Sequence, residues 1–367
     1  MDQITKMKKK IKVFYDRKKE LSEFKAYLEE LKRNVPKHIL IVAPRRMGKT
    51  HLIQKYMLNS TDEKIVPIYI DLLFIDSIKT LSHNMYDQFI ENYSTVHKKS
   101  LTKLMSLIKG NINDLLDAIK EVSLEFGTKN EDYLALRFNL KKEVSEIEYF
   151  IKTIDIIEEI AEKKKLKVIL AMDEFQRVID WKNWNEFVAA LRSNMQYSEN
   201  TKLIISGSKS TFIKENIIAK TKPFWKQLIS YELMPFSKEV IKEILRDNNL
   251  DERYVSNFES DLYNIPDYVV KLISILQTTK SYDDALTKLI DQEKYVFESI
   301  YDKLNLKSRA ILKTLTNSGK QFSDIEKEVS KPTYGLKKLL EDDIILLKNN
   351  KYEISDPLFR KILTNKT

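Results

Sequence analysis

Residues 38–50 read HILIVAPRRMGKT, and this stretch determines how the first half of the chain folds. Residues 38–42 are almost continuously apolar, which is typical of a strand buried on both faces of a parallel sheet. A helical pattern of apolar residues begins directly after Thr50 and continues to Met57. The order of strand, loop and helix predicts the first part of a βαβ unit.

The loop in this stretch has the A-x-x-x-x-G-K-T form of a phosphate-binding loop. Lys49 would bring its charge to the β- and γ-phosphates, and the Thr50 hydroxyl would ligate Mg²⁺. Gly48 permits close backbone approach, and Ala43 replaces the usual first glycine at a position that tolerates a small side chain. The residues predicted to contact the nucleotide here are Ala43, Pro44, Arg45, Arg46, Met47, Gly48, Lys49, Thr50 and His51.

An acidic pair, Asp173 and Glu174, follows the apolar run VILAM at residues 168–172. We expect Asp173 at the end of a buried strand adjacent to the first strand, where it would hold Mg²⁺ through water. Glu174 would polarise the attacking water as a general base. An acidic pair after a strand is a weak signal by itself, because acidic residues often begin loops. The phosphate-binding loop upstream makes the prediction of a metal site stronger.

Two further polar residues end predicted strands. Ser206 follows the run LII, where it could reach the γ-phosphate or orient the water; the alternative is a serine that caps the following helix. Asp71 ends the run IYI and could face the crevice at the carboxyl edge of the sheet, coupled to Glu174, or serve as a turn residue. The sequence leaves both alternatives open.

Alternation of apolar runs with helical patterns predicts an α/β fold, a parallel sheet sandwiched by helices. Besides the first strand, strands are predicted at residues 65–70, 168–172 and 203–206, with a weaker edge strand at 229–233. We assign the P-loop domain to residues 1–235, with a purely helical insertion at about 79–150. A helical lid at 236–284 and a winged-helix domain at 285–367 would follow.

The winged helix is predicted from three short helical segments followed by two apolar stretches around Lys348, Asn349 and Asn350, a hairpin signal. Its lysines could contact phosphates of double-stranded DNA, whereas nearby carboxylates would repel them. The lysines are Lys337, Lys338, Lys348 and Lys351, and the carboxylates are Glu341, Asp342 and Asp343.

Composition excludes several classes of protein. The 367 residues contain no cysteine, which excludes disulfides and thiolate zinc sites, and the four histidines lack metal-ligand spacing. A net charge of +9 permits attraction to nucleic acid but is spread along the chain. No apolar run approaches the roughly 20 residues that span a bilayer, and the basic start lacks an apolar signal region. We therefore expect a cytoplasmic protein without membrane partners.

With these motifs in place, the chain resembles the archaeal-type ATPase family, a branch of the STAND class of AAA+ P-loop ATPases. The resemblance covers most of the chain. It begins at FYDRKKEL (residues 14–21), continues through PRRMGKT, MDEFQRV, LRSNMQ and LIISGSKS, and ends in KYEISDPLFRKIL. It implies that ATP and ADP are the ligands, that Arg17 and Glu20 lie near the adenine, and that the protein is a slow switch.

The chain departs from the family pattern at two places. Residues 223–227 read PFWKQ where relatives carry an arginine, which puts a charge-stabilising role there in doubt and argues for slow turnover. A G-x-P turn in the lid becomes Asn264-Ile265-Pro266, and Asn can adopt the left-handed conformation that glycine would supply. No arginine finger can be assigned; the candidates are Arg46, Arg192 and Arg246.

Three functions fit the sequence. The leading one is an Mg²⁺-dependent ATPase that acts as a nucleotide-driven switch on its lid and winged helix. The second is a DNA-binding winged-helix protein in which nucleotide is mainly structural. The third is a scaffold that binds protein partners or other copies of itself through the helical insertion. The physiological partner, the oligomeric state, the turnover rate and the preference for ATP over GTP do not follow from the sequence.

Overall fold

The computed structural model describes residues 15, 17, 20–26, 38–59, 64–97, 119–126, 134–140, 145–208, 213, 217, 219, 224, 227–279 and 281–365. The chain forms two compact units. The first comprises the described residues up to Val42, from Lys49 to Gly207 and from Ile213 to Glu232. The second comprises Ala43–Gly48, Ser208 and the described residues from Leu233 onward.

The first unit is an α/β unit built around one parallel sheet. Its elements are β1 (His38–Val42), α1 (Lys49–Asn59), β2 (Ile65–Asp71), α2 (Ile78–His97), β3 (Ile119–Phe126), β4 (Leu134–Leu140), α3 (Glu146–Lys164), β5 (Lys167–Asp173), α4 (Trp184–Tyr197), β6 (Thr201–Gly207) and β7 (Leu228–Glu232). The five parallel strands are ordered β2-β5-β6-β1-β7. Every residue of β1 and β6 is buried, as their apolar runs predict. The weaker β7 lies at the edge, as predicted.

Helix ends in this unit follow local sequence rules. The Ser145 hydroxyl accepts a hydrogen bond from the Glu148 backbone N–H, at 3.1 Å, and so caps the start of α3. Lys165 ends the helix in the left-handed conformation, with φ of 52°, and its N–H returns to the carbonyls of the last turn. These two caps hold α3 directly before β5, the strand that ends in Asp173.

Residues 79–150 are not purely helical, which corrects our expectation for the insertion. β3 and β4 pair as an antiparallel hairpin between α2 and α3. The reason lies in the period of the apolar residues, which is two rather than 3.6: they fall on every second position over 122–126 and over 134–140. A period of two is typical of a strand, so the expectation of a purely helical insertion is wrong over these two segments.

The second unit is mainly helical and contains the predicted winged helix. Its elements are α5 (Lys238–Asp247), α6 (Val255–Leu262), α7 (Pro266–Leu276), α8 (Tyr282–Lys303), α9 (Leu306–Thr314), α10 (Phe322–Glu328), α11 (Thr333–Glu341), β8 (Ile345–Lys348), β9 (Lys351–Ile354) and α12 (Pro357–Thr364). α9, α10 and α11 followed by the β8–β9 hairpin form the winged helix. Among the described helices, none combines the length and apolarity needed to cross a bilayer.

Two turns in this unit contain asparagines whose positions the sequence analysis singles out: the turn of the predicted hairpin and the turn before Pro266. Both predictions are confirmed. Asn349 and Asn350 connect β8 to β9 with φ values of 51° and 60°, the backbone of a two-residue hairpin turn with both central residues at positive φ. Asn264 adopts a φ of 54° before Ile265 and Pro266, and Pro266 occupies the first turn of α7. Asparagine thus supplies a left-handed backbone conformation at both turns.

Candidate active site

The loop Ala43–Gly48 directly precedes α1, whose first residues are Lys49 and Thr50. Gly48 has a φ of 84°, and a Cβ built on it would meet no atom within 4 Å. Glycine is therefore required there by the backbone conformation and not by crowding. Lys49 is buried at the start of the helix, where backbone N–H groups lack intrahelical partners.

Asp173 is the centre of the polar cluster at the carboxyl edge of the sheet. It is 1% exposed. The Thr50 hydroxyl donates to its Oδ2 at 2.5 Å, and the Tyr69 hydroxyl donates to the same oxygen at 2.9 Å. The Ser206 hydroxyl donates to Oδ1, which also accepts the backbone N–H of Glu174 at 3.0 Å. A buried carboxylate is thus satisfied by three hydroxyls and one amide.

Strand order explains how these residues meet and corrects one expectation. β5 is not adjacent to β1, because β6 lies between the two strands. Ser206 on β6 and Tyr69 on β2 therefore flank Asp173 on its two neighbouring strands. Thr50, at the start of α1, nevertheless reaches Asp173. The carboxyl ends of parallel strands meet at one edge, so the predicted residues converge although the predicted adjacency was wrong.

Tyr69 is a site residue that sequence reasoning missed. Burial, followed by the nearby charge of Asp173, raises the pKa of the Tyr69 phenol above its ordinary value, so it remains a hydrogen-bond donor. Its signal in the sequence was weak: one hydroxyl-bearing residue in the apolar run IVPIYI, two positions before Asp71. In a buried strand such a hydroxyl requires a partner, and the partner is Asp173.

Glu174 leaves the strand in an unusual conformation. Its φ of 55° and ψ of 41° place it in the left-handed region, directly before the 3-10 turn Phe175–Asp180. The Gln176 side-chain amide donates to the Glu174 Oε2 atom. Asp71 acts as a turn residue: its Oδ1 accepts the Leu73 N–H at 3.0 Å and caps a 3-10 turn.

Arg17 and His51 have different surroundings from the Asp173 cluster. Arg17 is buried, has a φ of 64° and lies 3.5 Å from the Glu20 carboxylate. The Arg17 carbonyl accepts the Leu21 N–H at the start of the helical residues 20–26. His51 is exposed on α1. Phe14, the first residue of the segment FYDRKKEL, and Lys226, the basic residue of the segment PFWKQ, lie outside the described residues.

The side-chain groups of the Asp173 cluster suit a hard cation. Their polar atoms are all oxygens, which Mg²⁺ prefers as ligands, and Mg²⁺ usually binds one or two protein groups besides phosphates and water. Within the described part of the chain, no group of three or more His, Cys, Asp or Glu side chains could hold a metal by itself. A single carboxylate beside the Thr50 hydroxyl, 2.5 Å away, fits a magnesium ion that also requires phosphate oxygens.

Arg46 binds carboxylates of the second unit. Its guanidinium lies 3.1 Å from Asp267 Oδ2 and 2.8 Å from Glu293 Oε2. The Arg46 carbonyl also accepts the Asp267 N–H, at 3.2 Å. Lys271 contacts the same two carboxylates, each at 2.8 Å. Burial lowers the pKa of the Arg46 guanidinium, but the hydrogen bond to Glu293 and the nearby Tyr268, Glu293 and Asp356 groups together outweigh it, so the pKa is raised.

The contacts of Arg46 continue to the last helix. The guanidinium carbon lies 4.6 Å from the centre of the Tyr268 ring, and the Tyr268 hydroxyl donates to Asp356 Oδ2 at 2.5 Å. Asp356 caps α12, since its Oδ1 accepts two backbone N–H groups at the start of that helix. Burial raises the pKa of Asp356, partly offset by the bond from Tyr268. We call Arg46, Asp267, Tyr268, Lys271, Glu293 and Asp356 the Arg46 network.

The lysines of the winged helix are exposed and partly paired. On α11, Lys337 lies 3.8 Å from Glu341 and Lys338 lies 3.2 Å from Asp342, each four residues on. On the hairpin, Lys348 and Lys351 are exposed. The acidic end of α11 therefore reduces the positive charge of that helix more than that of the hairpin.

The profile of one protein family, described as an ATPase domain predominantly from Archaea, matches residues 14–269. This range is more than half of the 367-residue chain and contains the whole Asp173 cluster. The chain belongs to this archaeal ATPase family. A search of the curated proteins found no match to this ATPase.

Two solved structures resemble the ATPase over nearly its whole length. A Walker-type ATPase of Pyrococcus abyssi is 20% identical, and the match covers 96% of each chain with a TM-score of 0.65. The ORC2 protein of Aeropyrum pernix, solved in ADPNP–ADP complexes, is 10% identical over 97% of this chain and 95% of that chain, with a TM-score of 0.58. At identities this low the likeness shows the fold alone, and it confirms the predicted parallel sheet between helices, followed by a helical lid and a winged helix.

Of the three arginines considered as fingers in this ATPase, two are committed to neighbouring carboxylates. Arg46 belongs to the Arg46 network. Arg246 lies 3.1 Å from Glu252 on an exposed surface. Arg192 lies on α4, and its Nε atom is buried without a hydrogen-bond partner among the described residues.

Proposed function

We propose that the protein is an Mg²⁺-dependent ATPase in which nucleotide state is transmitted to the lid and the winged helix. The observation that carries hydrolysis is the direct hydrogen bond from Thr50 to Asp173, with Glu174 as the next residue. A phosphate-loop hydroxyl and a strand-end carboxylate in contact are the two protein groups between which a P-loop ATPase holds magnesium. The ORC2 protein, which shares the fold, is named in complexes with ADPNP and ADP.

In this proposal each residue has one task. The loop amides and Lys49 bind the β- and γ-phosphates. Thr50 and Asp173 would hold Mg²⁺, which would neutralise charge on the phosphate oxygens. Glu174 accepts the proton of a water whose oxygen attacks the γ-phosphorus, while the bond to the β–γ bridging oxygen breaks. The products are ADP and inorganic phosphate. Tyr69 and Ser206 orient Asp173 by donating to its two oxygens.

The Arg46 network supports the switching part of the proposal. Arg46 belongs to the phosphate-binding motif, yet its side chain and its carbonyl are bound to the start of α7 and to Glu293 of α8. Tyr268 extends the network to the cap of α12. A change in the loop backbone on phosphate binding would therefore alter contacts that position three helices.

Nucleotide binding and hydrolysis are tested together by comparing the wild type with Lys49→Ala and Asp173→Asn. We expect Lys49→Ala to weaken ATP binding at least about tenfold, because the phosphates lose their point charge. Asp173→Asn should abolish the effect of Mg²⁺ on affinity. Glu186→Gln, at an exposed position on α4, is the control and should behave as the wild type. Unchanged ATP affinity in Lys49→Ala would refute the assignment of the loop.

A second role, contact of the winged helix with double-stranded DNA, is favoured by the exposed lysines of the β8–β9 hairpin. The test is the salt dependence of duplex binding by fluorescence anisotropy. We expect Lys348→Gln with Lys351→Gln to reduce the slope of log K against log salt by about 2. The control pair is Lys164→Gln with Lys182→Gln, at exposed positions of the first unit. Equal losses in both pairs, or no binding at low salt, would contradict this role.

A further inference from the structure

The side chain of Gln176 is buried beside Glu174 and has a specific partner there. It is 4% exposed, and its Nε2 atom donates to the Glu174 Oε2 atom. The two residues are separated only by Phe175, which is fully buried in the 3-10 turn after β5. Burial of Phe175 anchors the turn, so the amide is presented to the carboxylate from a fixed backbone.

Gly207 provides the space that the Gln176 amide occupies. A Cβ on Gly207 would lie 2.8 Å from Gln176 Oε1 and 2.3 Å from Ile213 Cδ1, closer than real Cβ contacts. The backbone of Gly207 is not in the left-handed region, so a larger residue there would be opposed only by its contacts with the ends of the Gln176 and Ile213 side chains, which would have to move. The residue before it, Ser206, donates to Asp173. The end of β6 therefore supports both acidic residues: one by a hydroxyl and the other by making space.

We infer that Gln176 is a positioning residue for hydrolysis, which fixes the orientation of the Glu174 carboxylate; this inference rests on the proposed ATPase activity. Glu174 is half-buried and follows the strand in a left-handed conformation, so its side chain leaves the sheet at an unusual angle. A primary amide donates to one carboxylate oxygen and cannot itself accept the proton from water. Its hydrogen bond restricts the rotamers of Glu174, and proton acceptance falls to the other oxygen.

The matched variant is Gln176→Met, which keeps the length and approximate volume of the side chain and removes the amide donor. We expect turnover to fall about 10- to 100-fold, because a catalytic group that is misplaced by up to about 1 Å loses activity on that scale. The affinity for ATP and the KM should change less than about twofold, because the proposal gives Gln176 no part in binding the phosphates. Gln176→Glu, which is isosteric but would repel Glu174, should be at least as slow.

The decisive measurement is the double-mutant cycle with Glu174→Gln, read by single-turnover release of phosphate. If Gln176 acts through Glu174, Gln176→Met slows the wild type but has no further effect in the Glu174→Gln background. An equal fold-loss in both backgrounds, or undiminished turnover in Gln176→Met, overturns the inference while leaving the ATPase proposal intact. A wild type that binds ATP but releases no phosphate overturns both. Urea unfolding of each variant shows whether a loss of turnover comes from a loss of folded protein, since a structural defect would lower stability and ATP affinity together.

Discussion

Replacing Arg46 by methionine should destabilise the second unit far more than an ordinary surface substitution. The change keeps much of the side-chain volume but removes the charge that faces Glu293, whose side chain is 8% exposed. It also removes the guanidinium that lies over the Tyr268 ring at 4.6 Å. The substitution therefore leaves the buried Glu293 carboxylate with fewer positive charges nearby. An uncompensated buried charge is the main reason why removing one partner of a buried ion pair destabilises a protein.

The magnitude follows from the partners that remain. Removal of one partner from a buried pair costs roughly 3–5 kcal/mol. Lys271 still contacts Glu293 at 2.8 Å, which places the expected cost at the lower end of that range. Asp267 is more exposed and therefore screened, so its lost pair adds at most about 1 kcal/mol. We expect a loss of about 3 kcal/mol in the free energy of unfolding, roughly a hundredfold in the equilibrium constant.

The assay is urea unfolding followed by circular dichroism, with hydrogen exchange in α7 and α8 to identify the second unit. Arg246→Met is the control, because Arg246 lies 3.1 Å from Glu252 but is 69% exposed. Such a surface pair contributes about 0–1 kcal/mol. A loss below about 1 kcal/mol in Arg46→Met, or equal losses in both variants, would refute the reasoning that the Arg46 network is a buried ionic centre.

Three further predictions concern the first unit and the loop. Burial lowers the pKa of His38 to about 4, while Leu203 N–H donates to its Nδ1 and its Nε2 lies 3.1 Å from the Met195 carbonyl. In the unfolded chain the histidine binds its proton near pH 6.5, whereas in the folded protein it does so only near pH 4. The free energy of unfolding should therefore fall by about 3 kcal/mol in total as the pH drops from 6.5 to 4. If the His38→Gln variant showed the same fall in a pH series of unfolding measurements, this prediction would be contradicted. Tyr69→Phe should cost about 1.5 kcal/mol by urea unfolding, because Asp173 loses one donor, whereas the exposed Tyr197→Phe should cost nothing measurable. Gly48→Ala should cost about 1–2 kcal/mol in the same assay because of its φ of 84°, and a neutral change would show that the loop relaxes freely.

Much of the sheet was predictable because its strands are buried on both faces. Apolar runs such as VILAM identify buried strands without help from distant residues. The order of the strands in the sheet cannot be predicted from such runs. β6 lies between β1 and β5, although we expected β1 and β5 to be neighbours. Order is decided by how the crossover helices pack, which is a property of the whole sheet.

The hairpin β3–β4 shows a failure of a different kind. Its apolar residues alternate with a period of two, but the neighbouring segments have helical periods, and we extended the helical interpretation across it. Residues 345–354, by contrast, were assigned correctly because two asparagines mark the turn between two apolar stretches. The residues that favour a tight turn are recognisable from the local sequence alone. They distinguish a hairpin from a helix where the number of apolar residues does not.

In the candidate site, the sequence predicts the residues that belong to a recognisable motif. It does not predict the residues that reach the site only through the arrangement of the strands and helices. Lys49, Thr50, Asp173 and Glu174 follow from spacing and strand ends. The role of Tyr69 depends on β2 lying next to β5. The partners of Arg46 are 221 and 247 residues away in the chain, so no local pattern could reveal them.

The most direct test of the account is Mg²⁺-dependent release of phosphate from ATP by the purified protein, wild type beside Glu174→Gln, with ATP binding measured on the same samples. The account predicts slow release by the wild type that requires Mg²⁺. In Glu174→Gln it predicts release reduced by about 100-fold or more with ATP affinity retained, because the water loses its base. Equal release by the two proteins, or tight ATP binding with no release by the wild type, would contradict the assignment of this site as an ATPase.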